Sequence, residues 1–375
     1  MKARDSAFMS SRVLTSSKQV LETSGAALRR VRDAQGLYAA GLIAQQDVAH
    51  YRALSQHYDI GITPHVLRSI KNMADPQSDP VGRQYIPSLR EMVIMPQEQE
   101  DPIGDDAHSP VKGIVHRYPD RVLLKVSSVC GVYCRYCFRR EMIGAGAEHL
   151  SGEDLDAAID YIAGRPEIWE VILTGGDPLV LSARRLGDVM DRLRAIDHVR
   201  VIRIHTRIPV ADPAQIDDTI LGVLQEGSKP IYLVLHVNHA QEITRDVEDA
   251  FLRLRAAGCA LLSQSVLLKG VNDDAGALED LFKKLITLHV KPYYLHHLDL
   301  AKGTSHFRVS IARGQEIMRQ LQGRISGICL PRYMLDIPGG HGKVPVEGGY
   351  CAQHDAGEYV LRDFQGGTHH YKEVL

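Results

Sequence analysis

Three cysteines in the run Cys130-Gly-Val-Tyr-Cys134-Arg-Tyr-Cys137 carry the chemistry that is easiest to name. Thiolates bind iron-sulfur clusters, and four irons held by only three close cysteines leave one iron open to a ligand that is not protein. The spacing therefore points to a 4Fe-4S cluster on Cys130, Cys134 and Cys137 with one reactive coordination position. A structural zinc ion takes four ligands, commonly from two close pairs. The other cysteines, Cys259, Cys329 and Cys351, are isolated in the chain, so zinc is the weaker reading.

Four further groups bear reactive or charged functions. In Thr174-Gly-Gly-Asp177-Pro178, the pair Gly175-Gly176 either lets backbone approach a ligand closely or forms a tight strand-to-loop turn. The segment Gly339-Gly-His-Gly342-Lys343-Val344 fails as a P-loop, because Ile337 stands where that motif has its first glycine and Val344 where it has a hydroxyl residue. What remains is Lys343 on a glycine-rich backbone, suited to a Schiff base with a carbonyl cofactor such as pyridoxal phosphate, or else an ordinary solvated lysine. His116-Arg117-Tyr118-Pro119-Asp120-Arg121 either grips a phosphate dianion or closes a salt-bridged surface turn. Asp299 and Asp336 would bind an ammonium group if they converged on a buried pocket, and are otherwise a loop cap and a turn former.

The elements that must position these groups follow from hydrophobic periodicity. Beyond Arg121, strand-like apolar runs at 122–126, 170–174, 199–205, 231–237, 260–267 and 291–296 alternate with amphipathic segments. Ser151, Ser182 and Asp212-Pro213 supply helix-start signals. Six strand-helix units before Gly323 are too few residues for a complete eight-stranded barrel, so the expected fold is α/β, a partial (β/α)6 TIM-like barrel. Such barrels work at the strand C-termini, where the cysteines, Asp177, His205 to Arg207, His236, Asn238 and Asp299 fall, with Gln264 on the fifth strand. Residues 1–110 read as a helical N-terminal region with helices at 14–33 and 64–73. Residues 111–330 read as the barrel, and 331–375 as a glycine-rich extension with an aperiodic tail folded across the mouth.

Composition narrows the classes. The chain has 375 residues, 44% hydrophobic and 24% charged, with a formal net charge of -2, which gives no field favouring nucleic acid or anionic membrane. No stretch has signal-peptide or membrane-span character, and reactive cysteines without a disulfide pattern suit a reducing compartment, so a cytoplasmic protein is expected.

The cysteine spacing matches the radical S-adenosylmethionine superfamily. From about residue 75 to 371 the chain further resembles the lysine 2,3-aminomutases, which also use pyridoxal phosphate. The resemblance runs through His116 to Arg121, Cys130 to Arg140, Thr174 to Leu179, Gln264 to Asp273, Pro292 to Leu295, His306 to Arg308 and Pro338 to Pro345. It implies a cluster on Cys130, Cys134 and Cys137, and S-adenosylmethionine among Gly175, Gly176, Asp177, His236 and Gln264. It implies pyridoxal phosphate on Lys343 with its phosphate near Arg117, Tyr118 and Arg121. It implies a lysine substrate held by Arg139 at the carboxylate and by Asp299 and Asp336 at the side-chain ammonium. A radical 1,2-amino migration from L-lysine to β-lysine follows, with a flavodoxin or ferredoxin as reductant. Longer family members carry a cysteine-rich zinc segment at a subunit contact; this sequence stops before it, so zinc binding and a homo-oligomer are both left open. The length resembles the shorter branch that makes β-lysine for elongation factor P. Two alternatives stand beside this reading: an aminomutase for arginine or glutamate, and a catalytically silent iron-sulfur sensor.

Overall fold

The computed structural model describes residues 29–144, 146–225, 227–355 and 358–373. Nine strands form one sheet in sequence order: β1 (Ile114–Tyr118), β2 (Arg121–Ser127), β3 (Glu170–Gly175), β4 (Val201–Thr206), β5 (Ile231–His236), β6 (Ala260–Val266), β7 (Lys291–His296), β8 (Arg332–Ile337) and β9 (Gly342–Pro345). β2 to β8 run parallel, while β1 and β9 are antiparallel caps at the two ends of the sheet. The two edges approach each other, and the Lys343 backbone N–H on β9 donates to the Tyr118 hydroxyl on β1 at 2.8 Å. The result is a nearly closed barrel.

Strand periodicity divides each strand between an outer face under the helices and an inner face toward the barrel. Ile202 and Ile204 on β4 belong to the buried core, whereas Val201, Arg203 and His205 line an internal cavity. On β6, Leu261 joins the core and Leu262, Gln264 and Val266 face the cavity. The outer core is closed by six amphipathic helices: α1 (Gly152–Ala163), α2 (Ala183–Arg194), α3 (Asp218–Gln225), α4 (Arg245–Ala256), α5 (Ala275–Thr287) and α6 (Ile311–Leu321). Each fully buried leucine or isoleucine there contributes about 1.5–3 kcal/mol. Ser151, Ser182, Asp274 and Ser310 cap their helices by accepting a backbone N–H from the first turn.

Several expectations are corrected by these elements. The six expected strands are β2 to β7, but β1, β8 and β9 extend the sheet to nine, because short strands with inward polar residues have too weak an alternation to stand out. The sheet therefore runs through residue 331 without a break. The aperiodic tail is a three-stranded antiparallel sheet of β10 (Cys351–Asp355), β11 (Glu358–Arg362) and β12 (Thr368–Lys372), largely exposed. Asp212-Pro213 opens a 3-10 turn rather than the helix, and α3 begins at Asp218. The helix expected at 64–73 is Pro64–Ser69, capped by Thr63. Residues 14–28 of the helix expected at 14–33 lie outside the described residues, and Val31 bridges Ile62 in extended pairing. Among the described residues no helix is long and apolar enough to cross a membrane.

The N-terminal region grips the cysteine loop. Arg135 N–H donates to Gln84 O at 2.9 Å and Tyr133 N–H to Gly61 O at 3.0 Å. Glu91, fully buried, accepts from Arg135 Nε at 3.0 Å and Nη2 at 2.6 Å, and pairs with Arg140. Removing one partner of a buried ion pair leaves uncompensated charge and costs about 3–5 kcal/mol. Glu91→Gln is accordingly expected to lower unfolding free energy by about 3 kcal/mol in a urea titration followed by circular dichroism. A loss below about 1 kcal/mol would show that the loop is anchored elsewhere.

Candidate active site

The inner faces of the strands enclose a cavity of about 710 Å³ reaching from the cysteine loop to Lys343. That volume suits a cofactor together with a small substrate. Every residue to which the family resemblance gives a role lines it: the three cysteines, Gly175, Gly176, Asp177, His236, Gln264, Arg117, Tyr118, Arg121, Arg139, Asp299, Asp336 and Lys343, whereas Asn238 and His116 do not.

Cys130, Cys134 and Cys137 are free, half-buried thiols on the loop after β2. Burial pushes Cys137 up to about 11 and raises Cys130 well above the ordinary thiol value, each reinforced by neighbouring sulfur charge. A bound metal displaces such protons when the thiolates coordinate it. Among the described residues no three His, Cys, Asp or Glu side chains converge as a single metal ion requires. A four-iron cluster is larger than one ion and takes its thiolates from separate iron corners, so three thiols spread around one cavity wall fit it. Cys134 Sγ also receives an Arg207 Nη1 donor at 2.8 Å.

The glycine pair is explained by backbone packing. A Cβ on Gly175, whose φ is +109°, would fall 2.4 Å from Ser127 O, and one on Gly176 would fall 2.2 Å from Val129 O. Both thus seat the exit of β2 just before Cys130. Asp177 carries over poorly as a free ligand: its carboxylate accepts from Leu179 N, Thr206 Oγ1, Arg207 N and Ile208 N at 2.6–3.1 Å. It ties the end of β3 to the end of β4. His236 and Gln264 sit side by side on β5 and β6. His236 stacks on Tyr136, meets its hydroxyl at 2.9 Å, and is kept neutral by burial and the Arg207 charge.

At the other end, β8 and β9 place Asp336 directly opposite Lys343, and the ammonium pairs with Asp336 Oδ2. Asp336 Oδ1 is buried without a hydrogen bond, with Arg117 Nη1 at 3.8 Å. Asp299, following β7, is half-buried, and its carboxyl is raised to about 7 by burial and then by the Asp336 charge. Arg121 stacks over the Tyr118 ring at 4.0 Å and pairs with Asp120 at 2.6 Å. A buried carboxylate oxygen without a hydrogen bond and a second acid beside it give this end of the cavity an affinity for positive charge.

Sequence reasoning missed Asp105, which bridges Arg117 and Arg139 from a connector that shows only proline- and aspartate-rich composition. It also assigned nothing to Arg203 and His205, although the alternation along β4 places both inward. His205 is kept neutral by burial and by the Arg203 and Lys343 charges, and its Nε2 has no partner. His296 lines the cavity and is lowered to about 3, again by burial first and then by Lys343. His297 bonds Tyr333 at 2.7 Å and His341 is exposed.

A parallel barrel carrying a three-cysteine loop after its first parallel strand and polar groups at the strand ends defines a radical S-adenosylmethionine enzyme fold. Residues 124–282 match the Radical SAM superfamily and residues 318–374 match the Lysine-2,3-aminomutase family. The chain is 40% identical over 311 residues to an L-lysine 2,3-aminomutase of Methanococcus maripaludis, covering 82% of this chain and 71% of that one. It is 40% identical over 316 residues to the L-lysine 2,3-aminomutase of Clostridium subterminale, covering 84% and 75%. A glutamate 2,3-aminomutase of Clostridioides difficile is 34% identical over 339 residues, covering 90% and 79%. The protein belongs to the lysine 2,3-aminomutase family of radical SAM enzymes.

The elevated Asp299 carboxyl has a pH signature. The folded protein keeps that proton up to about pH 7, whereas the unfolded chain releases it near pH 4, so raising pH through this window favours unfolding. In the ligand-free protein, Asp299→Asn is expected to flatten the fall in urea midpoint between about pH 4 and about pH 7. An unaltered pH dependence in the variant would show that Asp299 does not titrate in this range.

Proposed function

We propose that this protein is an L-lysine 2,3-aminomutase, an isomerase that converts L-lysine to β-lysine by radical migration of the α-amino group. The observation that carries the reading is the acid pair Asp299 and Asp336 beside Lys343, in one cavity with three free thiols. When bound, a 4Fe-4S cluster with S-adenosylmethionine supplies the radical that initiates reaction, and pyridoxal phosphate supplies the carbonyl carbon that carries the migrating nitrogen.

The residues present fit these groups. Cys130, Cys134 and Cys137 would hold the cluster, and Gly175, Gly176, His236 and Gln264 would flank S-adenosylmethionine, with Asp177 acting through the backbone it fixes. Lys343 would hold pyridoxal phosphate, with Arg117, Tyr118 and Arg121 toward its phosphate. With Lys343 holding pyridoxal phosphate, Asp336 would be released from its pair with the lysine ammonium and could accept the substrate's side-chain ammonium. Asp299, protonated in the free site, gives up its proton as that cation arrives, so both acids face it charged. Arg139 receives the substrate carboxylate through Nη1, whose nearest partner is Thr174 Oγ1 at a weak 3.4 Å. Anchoring both ends of the substrate holds its β-carbon in place while the barrel wall excludes water.

Two acids at one end also speak against a glutamate substrate, whose side-chain carboxylate they would repel. We further assign the work to the cytoplasm, with a flavodoxin or ferredoxin as reductant, consistent with thiols that oxidation would destroy.

The test is an anaerobic assay of the reconstituted protein with S-adenosylmethionine, pyridoxal phosphate, reductant and L-lysine, with β-lysine read by mass spectrometry. Formation of 5'-deoxyadenosine without β-lysine would retain the radical chemistry and reject the substrate; neither product from an intact cluster would support the silent sensor. Lys343→Ala is expected to abolish the pyridoxal absorbance of the purified protein. Asp336→Asn is expected to raise KM for lysine about tenfold or more, because one charge-assisted contact is lost.

A further inference from the structure

The strap formed by residues 99–110 crosses the barrel mouth before β1 begins. Asp105 is the one acid that this strap sends between two active-site arginines. Its side chain is 4% exposed. Oδ1 accepts from Arg117 Nη2 at 3.2 Å. Oδ2 accepts from Arg139 Nη2 at 2.8 Å and Nε at 3.2 Å. Arg117 comes from β1 and Arg139 from the cysteine loop, so one carboxylate joins two elements that share no backbone pairing.

The grip on Arg139 is directional. A guanidinium is planar and presents its donors as a fork, so engaging Nε and Nη2 fixes the plane and leaves Nη1 turned the other way. That remaining donor group is the one at 3.4 Å from Thr174 Oγ1, inside the cavity. Charge points the same way. Two arginines would repel one another, and the buried aspartate between them offsets that repulsion and fixes where each guanidinium sits.

The strap is built to keep Asp105 still. Asp101 accepts the backbone N–H groups of Asp105 and Asp106 at 2.9 Å each, and Ser109 Oγ donates to Asp105 O at 2.9 Å. Gly104 has φ +69°, and a Cβ there would fall 2.3 Å from Gly340 N, so the strap lies directly on the glycine turn that precedes Lys343. His108 Nε2 meets Gly340 O at 3.0 Å.

We propose that Asp105 is a positioning residue that sets the orientation of Arg139, and through it the affinity for the substrate's α-carboxylate. This rests on the assignment of Arg139 as the carboxylate partner. The strap lies outside the residues that match either family model.

The test uses the full-length holoenzyme loaded with pyridoxal phosphate, titrated with L-lysine by the change in pyridoxal absorbance, without reductant, so that binding is read apart from turnover. The same titration with 1,5-diaminopentane, which lacks the carboxylate, is the control probe. Asp105→Asn is expected to weaken lysine about tenfold or more and leave 1,5-diaminopentane within about twofold. In turnover the loss falls on KM, with kcat and the iron and sulfide content near wild type, and Asp105→Glu restores part of the lysine affinity. In an Arg139→Gln background, Asp105→Asn is expected to add nothing further, as two members of one unit behave. Equal weakening of both ligands, or additive losses in the double variant, would overturn the proposal and mark Asp105 as a scaffold residue. If Asp105→Asn failed to retain pyridoxal phosphate, the comparison of Asp105→Glu with wild type on the two ligands would decide by the same criterion. If Arg139→Gln alone bound lysine normally, the carboxylate assignment itself would fail and the proposal with it.

Discussion

Asp336 and Lys343 occupy one rung of the β8–β9 pairing, and the charge balance of the whole cavity depends on that placement. A buried carboxylate is tolerated only when a cation or hydrogen bonds compensate it. In the free protein Lys343 compensates one oxygen of Asp336, which leaves the other oxygen orphaned and Asp299 inclined to keep its proton. The charge of Lys343 and the protonation of Asp299 are therefore coupled through Asp336.

The same accounting explains the neighbouring groups. Arg117 and Arg139 would repel each other without Asp105, and His205 and His296 are kept neutral first by burial and then by nearby positive charge, that of Lys343 included. Cations, acids and neutral imidazoles thus share one cavity, each kept in its charge state by burial and by its neighbours. The barrel keeps the groups in place because they stand on paired strands or on loops tied to buried ion pairs. Glu91 with Arg135 and Arg140 fixes the cysteine loop, and Asp177 ties the end of β3 to the end of β4.

Much of this was legible in the chain. The run from Cys130 to Cys137 named the cluster chemistry because metal ligation demands particular atoms at particular spacing, and spacing is a sequence property. The six central strands were visible because each is a buried apolar run between turn signals. The capping serines at 151 and 182 were visible because a cap is a local hydrogen bond. The additional strands were not, since β1, β8 and β9 carry functional polar residues on their inner faces and so lose the hydrophobic alternation that marks a strand.

The sequence by itself determined the reactive groups: three thiols, one lysine in a glycine-rich turn, two acids and a set of arginines. Only the tertiary structure decided which of them meet. Asp299 and Asp336 lie on separate elements, and their mutual influence arises when β7 and β8 pair. Asp105 bridges Arg117 and Arg139, separated from it by 12 and 34 residues, and nothing local encodes that contact. Asp177 shows the converse: a residue in a telling motif whose carboxylate the fold consumes in holding two strands together. Chemical type and local turn geometry are written in short stretches of chain, whereas burial, charge compensation and orphaned hydrogen-bonding atoms exist only once distant strands close around a common interior.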